Sequence, residues 1–288
     1  MPYFYLISSV FLFASSSIFG KIFTRRHDGK RDLGTFYNFF LMISVFLGWC
    51  ILYVINFSFD SGVLWYSALF GICYTVTNIG GINALKHGPA ALTSSIIGLS
   101  LILATIWGFF FWDSNVTFPV IIGLVLVVCS IFLCLYTKEK DGKNISLKWI
   151  FYVSLAFFGN AGATIVQRTQ QIEYGGQHGN MLMTFALGFS VIAYLFIYLK
   201  SDRSDSPTML KASWWIPILA GALNVALNLF VMLMALTDLS PSLIYPVVSV
   251  GGLAVVTVFS LFVFKEKMTR QQWIGVAIGA VAVVLLSI

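Results

Sequence analysis

Long apolar runs separated by short polar links dominate the chain. Ten runs reach the roughly 20 residues that a helix needs to cross a bilayer. They are 3–23, 34–57, 62–85, 89–112, 117–137, 147–169, 180–199, 212–236, 241–264 and 271–288. Links such as Phe57 to Gly62 and Thr237 to Ser240 are short enough to force neighbouring helices to be antiparallel. The longer polar links, 24–33, 138–146, 170–179 and 200–211, hold no soluble domain. The pattern predicts an all-α membrane protein with ten transmembrane helices. The first run lacks a basic segment ahead of it and a small-residue cleavage site before Lys21, so it predicts a span rather than a signal peptide.

The runs repeat. Ser240-Pro241-Ser242-Leu243-Ile244-Tyr245-Pro246 opens a run that ends at Phe264. A polar hinge, Lys265-Glu266-Lys267-Met268-Thr269, then leads to Gln272 and Gly275. Pro89-Ala90-Ala91-Leu92-Thr93-Ser94 opens a run to Trp112, followed by Asp113-Ser114-Asn115 and then Gly123. Trp49 and Tyr53 stand in the second run where Tyr194 and Tyr198 stand in the seventh. The link 138–146 divides the runs five and five, giving repeats over 1–137 and 147–288. Five is odd, so the second repeat crosses the membrane in the opposite sense. That is the inverted-topology architecture of many secondary transporters.

Composition agrees with burial in lipid: 59% of residues are hydrophobic and 10% charged, against about 25% charged in a soluble domain. The net charge of +6 then reads as a topology signal rather than a nucleic-acid footprint. Of 17 Lys and Arg, all but Arg168 fall in links facing one side. The positive-inside rule puts those links in the cytoplasm and both termini outside. The four cysteines (Cys50, Cys73, Cys129, Cys134) lie in apolar runs without a CxxC or a nearby His, so they predict small buried side chains and no metal site.

The stretch from Pro241 resembles the EamA family of the drug/metabolite transporter superfamily. Pro241, Pro246, Phe264 to Thr269, Gln272, Ile274, Gly275 and Gly279 carry the resemblance, and ten runs in two halves extend it over the whole chain. The departures are Ser94 for Pro246 and Ser114 for Glu266 in the first half, and Lys265 where the family usually has Gly. The resemblance implies a secondary transporter whose third, fourth, eighth and ninth helices gate a central cavity, with the fifth and tenth peripheral. It also implies cytoplasmic termini, the reverse of what the charges predict.

No catalytic constellation stands out. His27, His87 and His178 all lie in links, and no nucleotide-binding loop is present. No ionisable residue falls near the middle of a run, which disfavours a proton- or cation-coupled carrier with a buried carboxylate. The candidates are therefore uncharged polar residues at mid-depth: Ser16, Tyr74, Asn78, Asn160, Asn224, Asn228 and Tyr245. Tyr74 and Asn78, like Asn224 and Asn228, are four apart and share a helix face. These residues suit a polar cavity between the halves; the bland alternative, with Asn38 and Thr184, is hydrogen bonding between helices. Pro246 lacks an N–H and frees the Ser242 carbonyl, which suits a hinge. Gly80-Gly81 and Gly251-Gly252 suit either hinges or close packing. Arg168, near the end of the sixth run, is a gate candidate or a snorkelling end residue.

The expected function is alternating-access transport of a small polar or aromatic solute, amino-acid-like in size, with no cofactor, metal, catalytic residue or nucleic acid. The expected setting is a bacterial inner membrane, with the chain a monomer or weak homodimer in the lipid bilayer. A lipid-linked-sugar flippase or accessory membrane subunit is the second expectation. An intramembrane enzyme is disfavoured, because no nucleophile–base set is present.

Overall fold

The structure is a computed structural model that describes residues 2–30, 32–112, 117–135, 146–201, 203–234 and 241–286. At 2, 101, 134–135, 231–234, 241–246, 249 and 286 only the backbone is described. The described residues form helices and no strand. In chain order these are α1 (Pro2–Arg26), α2 (Leu33–Ile55), α3 (Val63–His87), α4 (Ala90–Gly98), α5 (Leu101–Phe111) and α6 (Phe118–Leu135). The second half holds α7 (Leu147–Glu173), α8 (Gly179–Lys200), α9 (Ser206–Ser213), α10 (Trp215–Met234), α11 (Pro241–Phe262) and α12 (Arg270–Leu286).

The ten apolar runs thus appear as twelve helices. The fourth run breaks between Gly98 and Leu101, giving α4 and α5. Gly and Ser pairs are common kink sites, and here the Ser100 hydroxyl accepts a bond from Asn160 Nδ2 at 2.7 Å instead of facing its own helix alone. The short α9 precedes the eighth run and is bent 61° from it. By length and composition six helices qualify to cross a membrane, or seven if the bent pair is one span. Shorter apolar helices lie over 118–133, 250–262 and 270–285.

A single apolar surface faces outward. Phe4, Phe11, Ile51, Trp65, Phe110, Phe158, Phe196 and Phe262 are all exposed. A soluble protein rarely leaves so continuous an apolar surface uncovered; a bilayer covers it. The largest buried cluster lies where α1, α2, α8 and the start of α10 meet, around Phe23, Phe36, Met42, Trp49, Tyr194 and Ile216.

Helix α3 packs along α7 and α8, while α10 packs along α1 and α2. Helix α11 packs on α1 and α4, and α4 also on α7. Helices α2 and α8 pair, and so do α6 and α12. Small residues set the closest of these contacts. A Cβ on Gly80 would stand 2.6 Å from Tyr152 O and Ala156 N of α7. One on Gly159 would stand 2.8 Å from Thr77 N of α3. Neither position admits a side chain, so Gly80 serves backbone approach between α3 and α7. Gly252 likewise lies against the Phe13 ring.

Polar side chains stitch the helices together. Asn38 Nδ2 donates to Asn78 O at 3.0 Å. Thr184 Oγ1 donates to Trp49 O at 3.1 Å, and Tyr194 OH to Thr75 O at 3.1 Å. Each bond answers a polar group that lipid would leave unpaired.

Candidate functional site

Three adjoining cavities run through the helix bundle. The innermost, about 270 Å³, lies among α1, α2, α3, α4, α7 and α10 and is walled by Ser16, Ser17, Tyr37, Asn38, Thr77, Ser94 and others. It shares Tyr74, Asn160, Asn224 and Leu227 with a central chamber of about 220 Å³. The chamber shares Trp49, Gln167, Met183 and Asn228 with a vestibule of about 400 Å³. The vestibule reaches the surface at Asn56, Gly176 and Gly179, which are exposed. Among the described residues, no Asp, Glu, Lys or Arg lines any of the three.

The residues singled out from sequence fall as follows. Ser16 and Asn78 line the inner cavity, and Asn228 lines the chamber and the vestibule. Tyr74, Asn160 and Asn224 line both the inner cavity and the chamber. Helix geometry orients several of them. Asn78 Nδ2 donates to Tyr74 O at 2.8 Å, and Asn228 Nδ2 to Asn224 O at 2.8 Å. Each bond joins two residues one turn apart on the same helix. Arg168 does not join them. It is exposed, lines none of the three cavities, and reaches only Gln171 Oε1 at 3.5 Å. The side chains of Tyr245 and Pro246 lie outside the described residues; the α11 backbone runs through both as one helix.

Sequence reasoning missed Gln167, Thr164, Trp49 and Tyr37 on the cavity walls. Amides near run ends look like ordinary interfacial residues, and an aromatic residue inside a run looks like packing. Tyr37 is buried, and its hydroxyl has no hydrogen-bond partner.

The sequence reading counted Lys21 and Glu266 with the link charges, and the structure corrects it. Lys21 and Glu266 are buried against each other beyond the inner cavity, each side chain 9% exposed. Lys21 Nζ stands 2.9 Å from Glu266 Oε1, an ion pair without the alignment of a hydrogen bond. The same ammonium donates to Leu85 O at 3.0 Å and Gly88 O at 2.5 Å, which are carbonyls at the end of α3. Glu266 Oε2 accepts from Ala90 N, the first residue of α4, at 2.9 Å, and from the Ser260 hydroxyl of α11.

Both charges sit where a helix dipole favours them. The cation meets a C-terminus and the carboxylate an N-terminus. The pair therefore clamps the α3–α4 turn between α1 and the end of α11. Arg25 supports it, 3.7 Å from Glu266 Oε1 and 5.1 Å above the Phe264 ring. Ser94 Oγ donates to Ser17 Oγ at 2.6 Å, tying α4 to α1 just inside the clamp. Nearby His27 titrates below the usual imidazole range, first through burial and then through Arg26 and Lys30. It stays neutral and adds no charge to this end.

The turn that delivers Glu266 departs from glycine at a cost. Lys265 has φ +52°, the left-handed region in which a Cβ is unfavourable. Among the described residues no group of three His, Cys, Asp or Glu is placed to hold a metal ion.

The family model for EamA-like transporters matches residues 1–136 and 147–288. The chain belongs to the EamA-like transporter family. It is thus a multi-pass membrane protein of a transporter family, consistent with its apolar outer surface.

Among relatives, an uncharacterized protein of Haemophilus influenzae is 24% identical over 191 residues. That match covers 65% of this chain and 63% of that protein, less than two thirds of its length. A Listeria monocytogenes protein named for sugar uptake is 24% identical over 239 residues, 81% of this chain and 77% of its own. A shorter Pseudomonas fluorescens protein is named for ArnE, a subunit of the 4-amino-4-deoxy-L-arabinose-phosphoundecaprenol flippase. It is 32% identical over 89 residues, 31% of this chain and 74% of its own. A solved crystal structure aligns over 98% of this chain and 94% of that one, with a TM-score of 0.60 at 11% identity. That last likeness is one of fold alone.

Proposed function

We propose that this EamA-like protein carries a small uncharged polar solute across the membrane by alternating access. The observation that carries the reading is the amide-lined cavity system, without a charged side chain among its described walls, open at the vestibule and bordered at its other end by the buried Lys21–Glu266 pair. Asn and Gln amides both donate and accept, as solute hydroxyls do. Among the described residues the cavity walls offer no charged partner for either end of a zwitterionic amino acid, which favours an uncharged solute. The solute class is therefore hydroxyl-rich and uncharged, a sugar or polyol, in line with the name of the Listeria relative.

The moving parts are two inverted five-helix repeats, 1–137 and 147–288, joined by 138–146. Support comes from the packing pattern. Number the ten apolar runs in order and exchange each with the run five places on. The third-with-sixth pair (α3, α7) then becomes the eighth-with-first pair (α10, α1), and both are present. The first-with-ninth pair (α1, α11) becomes the sixth-with-fourth pair (α7, α4), also present. The second–seventh, fourth–ninth and fifth–tenth pairs map onto themselves. In this scheme the Lys21–Glu266 clamp closes one gate while the vestibule gate stands open. The charge asymmetry puts the clamp in the cytoplasm, the vestibule outside and both termini outside. A reporter active only in the cytoplasm, fused after Ile288, should stay silent; a strong signal reverses the orientation.

The transport reading is tested in proteoliposomes with labelled D-glucose, D-ribose, L-rhamnose, L-serine and choline. Saturable flux of one or more of the sugars, insensitive to membrane potential, is the expected result. Flux of L-serine or choline alone overturns the solute class. The flippase relative favours a second reading, in which no soluble probe moves and a labelled undecaprenyl-linked sugar changes leaflet.

A further inference from the structure

We propose that the vestibule is a binding subsite in its own right, which holds a hydroxyl-rich uncharged solute before it enters the central chamber. The identity of the solute rests on the transport reading above; the existence of the subsite rests on the vestibule itself. At about 400 Å³ the vestibule is larger than the chamber behind it and lies within the range of roughly 300–1,000 Å³ usual for small-molecule sites. Its walls bring together Trp49, Gln167, Gln170, Gln171, Asn180 and His178. An indole beside a ring of amides presents an apolar plate with two-way hydrogen-bonding groups around it. That matches the two surfaces of a monosaccharide, C–H bonds on the ring faces and hydroxyls on the edge.

Two of the side chains in this wall carry a buried polar atom without a hydrogen-bond partner. Gln170 is wholly buried, and its Nε2 donates to Gln177 O at 2.8 Å. Its Oε1 has no partner. Turning the amide over leaves the nitrogen bare instead, so either orientation strands one polar atom. A stranded buried group costs about 1–3 kcal/mol, and natural structures keep few of them. His178 Nδ1 is also buried without a partner, and the residue holds φ +60°. The turn that carries it, Tyr174 to His178, places Gly175 and Gly176 at positive φ as well. The two glycines adopt that region freely, so the strain of the turn lies at His178 alone, and such strain gathers at binding sites. This turn supplies the Gln177 carbonyl that fixes Gln170.

Gln167 links the subsite to the chamber, because it lines both. Among the described residues its amide makes no hydrogen bond, so it is free to pass from one solute hydroxyl to the next. The vestibule thus recognises the solute's hydroxyls, and the chamber receives the same solute behind Trp49.

The test uses the full chain in lipid nanodiscs and proteoliposomes, with labelled D-glucose, D-ribose and L-rhamnose as probes. Gln170→Leu should raise the half-saturating concentration of the carried sugar at least fivefold and leave saturated turnover within twofold. If that variant fails to fold, the double variant Asn56→Ala/Gln171→Ala, which removes no bond to a buried group, should give the same split. Unchanged half-saturation, or a fall in turnover alone, overturns the subsite. Sugar binding that the vestibule variants weaken, in a wild type that moves no sugar, upholds the subsite and overturns transport. A wild type that neither binds nor moves any of the three overturns both.

Discussion

The two ends of the cavity are closed and opened by opposite chemistry. At the clamped end, a buried cation and carboxylate tie three helix ends together. At the vestibule end the described walls are mainly amides, with one indole and the imidazole of His178, and three exposed residues mark the mouth. The difference follows from what each end must do. A closure must be strong yet reversible. An ion pair that also caps two helix ends is strong as a unit, because removing one member leaves the other buried and unpaired. A mouth must bind a solute loosely enough to pass it on, and neutral hydrogen bonds worth about 1 kcal/mol each do so.

The largest effect should come from breaking the clamp on one side. Glu266→Ala leaves Lys21 buried without its carboxylate and should cost about 3–5 kcal/mol, read as a lowered melting temperature of the purified protein. No change would show that the clamp carries no strain of closure and that the two ends do not differ as described.

Removing both charges should separate stability from gating. Lys21→Met with Glu266→Leu should return to within about 1 kcal/mol of wild type. The sealed end should nevertheless open more often. In a background freed of native cysteines, Ser17→Cys should then react faster with an impermeant maleimide applied from the basic face. Equal labelling rates would assign closure to the apolar packing around Phe264 instead.

A smaller effect is expected at the shared wall of the inner cavity and chamber. Asn224→Ala should lower turnover about tenfold, the worth of one or two hydrogen bonds, with expression unchanged. Unaltered flux would remove Asn224 from the pathway and leave it as helix glue. The smallest effect lies in the hinge itself. Lys265→Gly relieves a left-handed backbone and should stabilise the protein by about 1 kcal/mol, seen as a rise of a few degrees in melting temperature. A fall would mean that the Lys265 side chain offsets its own strain.

Much of the wall could be read in advance. Tyr74, Asn160 and Asn224 stood out because an uncharged polar group at mid-depth in an apolar run needs a partner or a purpose. Thr184 looked the same in sequence, yet it bonds to the Trp49 carbonyl of a neighbouring helix and lines none of the three cavities, while Asn38 bonds to the Asn78 carbonyl and also lines the inner cavity. Nothing in spacing separates the two uses, since the outcome depends on which helix stands opposite. Lys21 and Glu266 were counted with the link charges for a similar reason. They lie 245 positions apart (266 − 21), and each alone resembles a charge at a membrane surface.

The sequence by itself determined the helical class, the membrane setting and the family, because runs of twenty apolar residues permit little else in lipid. It also determined the one-sided distribution of basic residues. Only the tertiary structure decided which of those charges are buried and which amides line a cavity. These depend on which helix ends meet across the bundle, and such meetings join residues whose local sequence carries no trace of one another.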